Sequence, residues 1–207
     1  MTRLKTSHIS RQIILKIMAK LFLGIDWEED FIRGSLAVPG AEVAERSTAN
    51  FMINNSKDYA AEAFSEDFHP ANHCSFEENG GPWPRHCEAY TIGSAISPLI
   101  VDAMHKFDGD VVIITKGEDP DREEYSLFRN EAGEEQFGYL VKTNDITEVD
   151  VCGLVREICV MNTIQDLHER FPEIKVNVLI SLTPSLDGGE TFAKWLEENP
   201  WCNIIEF

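Results

Sequence analysis

Short apolar runs alternate along the chain with segments whose apolar residues recur at helical spacing. Runs of this length are typical of buried strands, and the run at 111–115 is the clearest of them. The predicted strands are 21–25, 59–65, 111–115, 149–152, 176–182 and, more weakly, 204–205. The predicted helices are 41–54, 97–106, 157–171 and 189–198, and the acidic stretches 27–40 and 118–138 are predicted loops. This alternation predicts one α/β domain with a largely parallel sheet of about six strands and helices on both faces.

The composition is that of a single domain, and its charge argues against some classes of binding partner. The chain has 207 residues and is 43% hydrophobic, which suffices for one well-cored domain and is short for two. Residues 26–207 carry 13 basic and 36 acidic groups, so this body repels nucleic-acid phosphate and anionic lipid. Five scattered cysteines form no even framework, so we expect reduced thiols and a cytoplasmic protein.

The N-terminal segment differs from the rest in charge. Residues 1–25 contain five Lys/Arg and no acid, and two lysines interrupt their apolar run. Neither a signal peptide nor a transmembrane segment is therefore predicted. Met18 directly precedes the first strand, which suggests that 1–17 is an extension and 18–207 the folded domain. The alternative is a short basic amphipathic helix, with three isoleucines on one side, that touches a partner or a membrane.

Residues 67–87, DFHPANHCSFEENGGPWPRHC, concentrate side chains that bind metals. Asp67 and His69 are two apart, as suits an extended segment, and His69 and His73 are four apart, as suits a helical turn. His86 follows a Gly/Pro-rich loop that can fold back. Aspartate with imidazoles suits Zn²⁺, Fe²⁺ or Mn²⁺, so we predict a divalent metal site. Two cysteines in the stretch are alternative ligands, and an ordinary polar surface loop is the alternative to a metal site.

A second group of reactive side chains falls at the predicted strand ends, where open α/β sheets bind ligands. Asp26 ends the first strand, Lys116 ends the third, and Cys159 lies past the fourth in the first turn of a helix. A helix N-terminus and a nearby lysine favour a thiolate, so Cys159 is the candidate nucleophile. Asp26 would take its proton and Lys116 would hold the anion. Alternatively, Cys159 is a small buried apolar residue, and the other two form a plain ion pair.

Longer motifs around these positions resemble the nicotinamidase/pyrazinamidase branch of the isochorismatase-like cysteine hydrolases. The resemblance runs from about residue 21 to residue 166. It rests on Ile25-Asp26-x3-Asp30-Phe31, Asp67-Phe68-His69-Pro70-Ala71-Asn72-His73, Gly81-Pro82-Trp83-Pro84-x-His86-Cys87, Lys116-Gly117-x-Asp119-Pro120, Tyr125-Ser126-x-Phe128, Val151-x-Gly153-Leu154 and Cys159-Val160-x2-Thr163-x2-Asp166. It implies a three-layer α/β/α fold.

The resemblance also implies a set of roles for residues of this chain. The implied catalytic triad is Asp26, Lys116 and Cys159, and the implied ligands of one metal ion are Asp67, His69, His73 and also His86. Backbone N–H groups of Val155 and Cys159 would form an oxyanion hole beside a cis peptide at Leu154-Val155, and Phe31 and Trp83 would flank the substrate ring. Zn²⁺ is the first choice for the metal, with Fe²⁺ or Mn²⁺ as alternatives.

The reaction implied by the resemblance is deamidation of nicotinamide to nicotinate and ammonia through a cysteine thioester, with the metal positioning the ring. The substrate is then a small aromatic amide. The sequence does not decide whether the protein forms a homo-oligomer. Two rival functions are a related C–N hydrolase that acts on a carbamoyl compound and a non-catalytic metal-binding relative. The complete set of metal ligands argues against the first, and the complete triad argues against the second.

Some positions depart from the family pattern. Glu28 and Glu29 stand where amides are usual, Tyr90 where glycine is usual, and Glu157 where aspartate is usual. If Glu28 or Glu29 faces the site, its negative charge should raise the pKa of Asp26 and disfavour the thiolate. The segment from Leu179 onward does not resemble the family closely, so no role is carried over to it.

Overall fold

A computed structural model describes residues 19–207, so the predicted extension at 1–17 and the proposed start at Met18 lie outside the described residues. Six parallel strands form one sheet in the order β3-β2-β1-β4-β5-β6. The strands are β1 (Ala19–Ile25), β2 (Tyr59–Asp67), β3 (Asp110–Lys116), β4 (Ile146–Gly153), β5 (Lys175–Leu179) and β6 (Asn203–Ile205). The helices are α1 (Glu29–Ile32), α2 (Ala41–Asn55), α3 (Pro98–Met104), α4 (Glu131–Thr143), α5 (Met161–Arg170) and α6 (Glu190–Glu198). The predicted fold class is confirmed.

Helices cover both faces of the sheet because alternate strand residues point to opposite sides. Leu21, Leu23 and Ile25 of β1 pack in one core with residues of α4, α5 and α6. Phe22 points to the other face, where it packs in a second core with residues of α2 and α3. The result is a three-layer α/β/α domain. Among residues 19–207, no helix is both long and apolar enough to cross a membrane.

The apolar run at 111–115 is not the buried strand that its composition predicts. It forms β3 at the edge of the sheet, and Ile113 is 45% exposed. Composition alone does not distinguish a central strand from an edge strand, because the position in the sheet depends on pairing with distant segments. The buried centre of the sheet is instead β1, whose last five residues are all inaccessible to solvent.

Two helices occupy predicted loops. Within 118–138 the loop prediction is wrong from residue 131 onward, where α4 begins, capped by Asn130, whose side chain accepts the N–H of Ala132 at 3.0 Å. The helix buries few apolar side chains, chiefly Phe137 and Leu140, so its periodic signal is weak. Within 27–40 the chain forms the short α1.

The predicted helix at 157–171 begins differently from its prediction. Residues Arg156–Val160 form a π-helical turn, and regular α5 follows from Met161. Such widened turns occur mostly in short pieces and often at functional sites. The predicted strand at 176–182 ends at Leu179 and continues as a 3₁₀ turn, Ile180–Leu182.

Candidate active site and metal centre

The carboxyl ends of four neighbouring strands build the site. Asp67 at the end of β2 pairs with Lys116 at the end of β3, and Ile25 of β1 pairs with Gly153 of β4. The strand order reverses between β1 and β4, and open α/β sheets bind ligands at such a switch point. The next residue after β1 is Asp26, so side chains from separate parts of the chain meet at this edge.

The structure brings the three predicted catalytic side chains together. Nζ of Lys116 lies 2.9 Å from Oδ2 of Asp26, 2.5 Å from Oδ1 of Asp67 and 3.9 Å from Sγ of Cys159. The Cys159 thiol is within hydrogen-bonding reach of the Asp26 carboxylate. Asp26 and Lys116 are fully buried, and Cys159 and Asp67 are nearly so. One lysine therefore serves two carboxylates and a thiol without solvent screening.

The electrostatics of this group differ from the sequence expectation of a favoured thiolate. Burial raises the pKa of the Cys159 thiol well above its usual value, and Asp26 and Asp67 add to the rise while Lys116 opposes it. Burial also raises the pKa of Asp26, again against the effect of Lys116. The resting pair therefore favours a neutral thiol beside a carboxylate of increased basicity. This arrangement suits transfer of the thiol proton to Asp26 at the moment of attack.

The pKa of Asp67 moves in the opposite direction. Burial alone would raise it, but Lys116 and His69 lower the pKa of this carboxyl far below its usual range. Asp67 therefore stays ionised between the lysine and the imidazole, as a carboxylate that binds a metal must.

Glu28 and Glu29 do not act as charges on Asp26. Oε1 of Glu28 accepts the backbone N–H of Asp67, and Glu28 is fully buried. Burial, together with the nearby Asp26 and Asp67, raises the pKa of Glu28 well above its usual value, so Glu28 favours its neutral form. Glu29 points to the surface, where it pairs with Arg33. The neutral Glu28 resembles the amide that it replaces in shape.

Three of the predicted metal-binding residues form a group beside the triad. Ligand atoms of Asp67, His69 and His86 all lie within 4.8 Å of one another. Nδ1 of His69 is 3.0 Å from the carbonyl of Gly117, and Nδ1 of His86 is 2.7 Å from the carbonyl of Pro84. Each ring therefore donates through Nδ1 and keeps the Nε2 lone pair for a metal.

The buried atoms around this group fit a bound cation. Nε2 of His69 is buried, lies 3.4 Å from Oδ2 of Asp67 and has no hydrogen-bond partner. A buried polar atom without a partner is rare in folded proteins and commonly marks a missing ion or water. Two imidazoles and one carboxylate form a donor set that divalent zinc, iron or manganese accepts.

His73, the remaining predicted ligand, lies outside this group. Its ring stacks on His69 with centroids 4.0 Å apart, but backbone groups occupy both of its nitrogens. Nδ1 accepts the N–H of Ser75 at 3.1 Å, and Nε2 donates to the carbonyl of Arg122 at 3.1 Å. The expected helical turn is also absent, because the N–H of His73 bonds to the carbonyl of Pro70 in a tight turn.

A small cavity of about 70 Å³ opens above the thiol. Its walls include the predicted ring-binding residues Phe31 and Trp83, the predicted oxyanion residues Val155 and Cys159, and the ligands Asp67 and His86. The Trp83 indole N–H donates to the hydroxyl of Tyr125 at 3.2 Å. The peptide Leu154-Val155 is cis, as predicted. A mainly apolar slot thus lies between the thiol and the candidate metal ligands.

Three positioning residues are not predicted by the sequence reasoning. Ser65 donates to Oδ1 of Asp26 at 2.5 Å, Asp30 accepts the N–H of Cys87 at 2.8 Å, and Glu124 accepts the N–H of Gly117 at 2.9 Å. Ser65 precedes Asp67 by two residues on β2 and so shares its face, which is the one signal that could have identified it. The Asp30 bond joins α1 to a distant loop, and the Glu124 bond closes the loop after β3 across seven residues, so neither has a strand or helix spacing that indicates it.

Fold and site together define a three-layer α/β/α protein with a buried cysteine, aspartate and lysine next to a group of residues that could hold a metal. No family model matches the chain. The nicotinamidase of Saccharomyces cerevisiae is 29% identical over an alignment 215 positions long, which covers 89% of this chain and 97% of that protein. This relative supports the assignment indicated by the sequence motifs, to the nicotinamidase/pyrazinamidase branch of the isochorismatase-like hydrolases.

Solved structures agree with this assignment. The pyrazinamidase of Pyrococcus horikoshii in complex with zinc superposes with a TM-score of 0.74 at 27% identity, covering 91% of this chain and 99% of that one. The yeast nicotinamidase bound to the inhibitor nicotinaldehyde gives a TM-score of 0.78 at 26% identity, covering 91% of this chain and 100% of that one.

Proposed function

We propose that this protein hydrolyses the carboxamide of nicotinamide to nicotinate and ammonia. The observation that carries the proposal is the position of the Cys159 thiol, at the base of an aromatic slot and in contact with both Asp26 and Lys116. The relatives named nicotinamidase and the yeast structure with nicotinaldehyde support this choice of substrate. The metal group beside the slot favours it over a carbamoyl substrate.

The proposed reaction begins with a proton transfer. Asp26 takes the thiol proton as Sγ of Cys159 attacks the carboxamide carbon. Backbone N–H groups of Val155 and Cys159 stabilise the oxyanion, a contribution of about 3 kcal/mol per donor in other enzymes. Asp26 then returns its proton to the departing ammonia, which leaves a thioester. Water, deprotonated by Asp26, hydrolyses the thioester and restores the thiol.

Lys116 is proposed to keep Asp26 ready for these proton transfers. Its ammonium lies between Asp26 and Asp67, so it keeps the base ionised in the resting state despite complete burial. Phe31 and Trp83 are proposed to hold the substrate ring between them, so that its amide faces the thiol. Ser65 fixes the other oxygen of Asp26 and therefore the direction of its remaining lone pairs.

We propose that Asp67, His69 and His86 hold one divalent ion, with Zn²⁺ preferred and Fe²⁺ or Mn²⁺ as alternatives. When bound, the ion supplies a Lewis-acidic point for the pyridine nitrogen of the substrate, which orients the ring. The pyrazinamidase of Pyrococcus horikoshii, which is in complex with zinc, supports the first choice. All five cysteines are free thiols, which supports a reducing, cytoplasmic setting for a cysteine enzyme.

Replacing the thiol tests the proposal directly. Cys159→Ala should reduce ammonia release from nicotinamide by at least about 10³-fold, because no other group can form the thioester. Cys202→Ala is the matched control, since Cys202 is also buried but lies outside the cavity. Ammonia would be measured with purified protein, and bound metal by elemental analysis. Ammonia release by Cys159→Ala at the rate of Cys202→Ala would refute the nucleophile assignment.

A further inference from the structure

The segment that follows β5 is fastened to the turn that carries the thiol. The N–H of Arg156 donates to the carbonyl of Pro184 at 3.0 Å. Its guanidinium donates through Nε to the carbonyl of Thr183 at 2.8 Å and through a terminal nitrogen to the carbonyl of Ile180 at 3.0 Å. Because Arg156 lies three residues before Cys159, the position of the segment is coupled to that of the thiol.

Glu157 fastens the next part of the same segment. Its Oε1 accepts the backbone N–H of Leu186 at 2.6 Å and that of Asp187 at 3.2 Å. Asp187 in turn closes the loop on itself, because its carboxylate accepts the N–H groups of Gly189 at 2.8 Å and Thr191 at 2.9 Å. The loop at 183–189 is therefore held by hydrogen bonds to the turn that carries the thiol and by hydrogen bonds of its own, without a covalent link.

This fastening places one apolar side chain at the mouth of the cavity. Leu186 lines the cavity together with Ile158 and Cys159, yet it is 49% exposed. A half-exposed leucine on a cavity wall gains buried area when a ring enters, and it also limits the space for anything attached to that ring. The cavity lining also includes Leu36 and Val38 from the loop before α2.

We propose that Leu186 is a specificity-determining residue that restricts the site to unsubstituted, flat aromatic amides, and that Glu157 is the positioning residue that sets its place. This inference rests on the proposed amidase function and concerns a part of the chain from which the family resemblance carries no role. Glu157 stands where the family pattern has aspartate, whose carboxylate would be withdrawn by roughly one C–C bond, about 1.5 Å. The longer side chain and the divergent loop are thus matched to each other.

The test compares two substrates. In nicotinamide, ring position 5 is meta to both the carboxamide and the ring nitrogen, so a methyl group there points away from the thiol and the metal group. The measured quantity is kcat/KM for 5-methylnicotinamide divided by kcat/KM for nicotinamide. Leu186→Ala should raise this ratio about 10-fold or more, as expected when a pocket gains room for one methyl group. Leu99→Ala, which removes a leucine of similar exposure (43%) from α3, should leave the ratio unchanged.

Variants of Glu157 test the positioning role through the same ratio. Glu157→Ala removes both acceptor contacts and Glu157→Asp shortens the side chain, so both should raise the ratio, whereas Glu157→Gln keeps Oε1 as an acceptor and should preserve it. Combining Glu157→Ala with Leu186→Ala should add nothing to the effect of Leu186→Ala. A ratio that Leu186→Ala leaves unchanged overturns the specificity role, and one that Glu157→Ala leaves unchanged overturns the positioning role. Absence of ammonia from both amides with the unmodified protein overturns the proposed function itself.

Discussion

Two buried ionic clusters lie at opposite ends of the same strands, and they differ in how fully their charges are satisfied. The amino-end cluster consists of Lys20, Tyr59, Glu148, Asp150, Lys175 and Asn177. Asp150 accepts the Tyr59 hydroxyl at 2.8 Å, Lys20 at 3.2 Å and the Asn177 amide at 2.5 Å. Glu148 receives Lys20, Lys175 and the Asn177 amide through one oxygen. Each buried carboxylate in this cluster therefore has several donors.

The carboxyl-end cluster consists of Asp26, Glu28, Asp67, His69, Lys116 and Cys159. A single buried lysine serves two carboxylates there, while Oε2 of Glu28 and Nε2 of His69 have no hydrogen-bond partner. Both clusters contain buried acids, and the first also leaves the amide oxygen of Asn177 without a partner, but only in the second do ionisable groups remain unsatisfied beside a cavity. Incomplete satisfaction, more than burial of charge, distinguishes a site that awaits a ligand from one that stabilises the fold.

The largest expected effect separates the lysines of the two clusters. Lys116→Met leaves Asp26 and Asp67 buried without a cation, so it should lower the free energy of unfolding by about 3–5 kcal/mol and abolish ammonia release. Lys175→Met should cost at most about 1 kcal/mol, because the side chain of Lys175 is 49% exposed. Urea unfolding of both variants measures the difference. Equal losses would contradict the distinction between the clusters.

The sequence predicts those parts of this contrast that depend only on residues close together in the chain. Asp26 and Lys116 follow directly from their places at strand ends, because a short apolar run and the residue after it are adjacent in the chain, and Cys159 follows from its place in the first turn of the next predicted helix. Their convergence needs only the general rule for open parallel sheets. The pKa shifts could not be predicted in the same way, since burial depends on packing by both helical layers. The thiol consequently favours its neutral form, opposite to the expectation from a helix N-terminus and a lysine.

The candidate metal ligands show more clearly that sequence spacing alone does not predict the site. Spacing favours His73, four residues after His69, over His86, which follows a long irregular loop. In the structure the carbonyl of Arg122 and the N–H of Ser75 occupy the nitrogens of His73, while Pro84 leaves Nε2 of His86 free. These contacts come from the course of the backbone rather than from spacing. The edge position of β3 likewise depends on long-range pairing.

Metal addition should have the next largest effect. It tests which histidines bind the ion. Adding Zn²⁺ to protein stripped by a chelator should restore activity and raise the free energy of unfolding by about 2.7 kcal/mol at 100 times Kd. His86→Asn should abolish most of this gain, because it removes a ligand with a free Nε2. His73→Asn should retain one bound ion per chain. Thermal unfolding with and without Zn²⁺, with elemental analysis, measures both; loss of the ion in His73→Asn alone would overturn the ligand set.

The smallest expected effect concerns two buried glutamates, whose contributions to stability should change with pH in opposite directions. Although burial opposes it, donors from Asn177, Lys175 and Lys20 lower the pKa of Glu148, so its stabilisation is present above about pH 4.5 and is lost as the pH falls through the lowered value. Glu62 on β2 has an oxygen without a partner, and burial raises its pKa to about 7. Its favourable contribution is therefore complete below about pH 4.5 and is lost as the pH rises to about 7.

Substitution by glutamine should reveal opposite signs at these two positions. Glu62→Gln should become more stable relative to the unmodified protein by about 2 kcal/mol between pH 4.5 and pH 7, because glutamine has no proton to lose. Glu148→Gln should be less stable at pH 7, and that deficit should close below about pH 4.5. Urea unfolding across this range provides the free energies. Parallel pH profiles for the two variants would mean that hydrogen-bond satisfaction does not set the charge state of these buried acids.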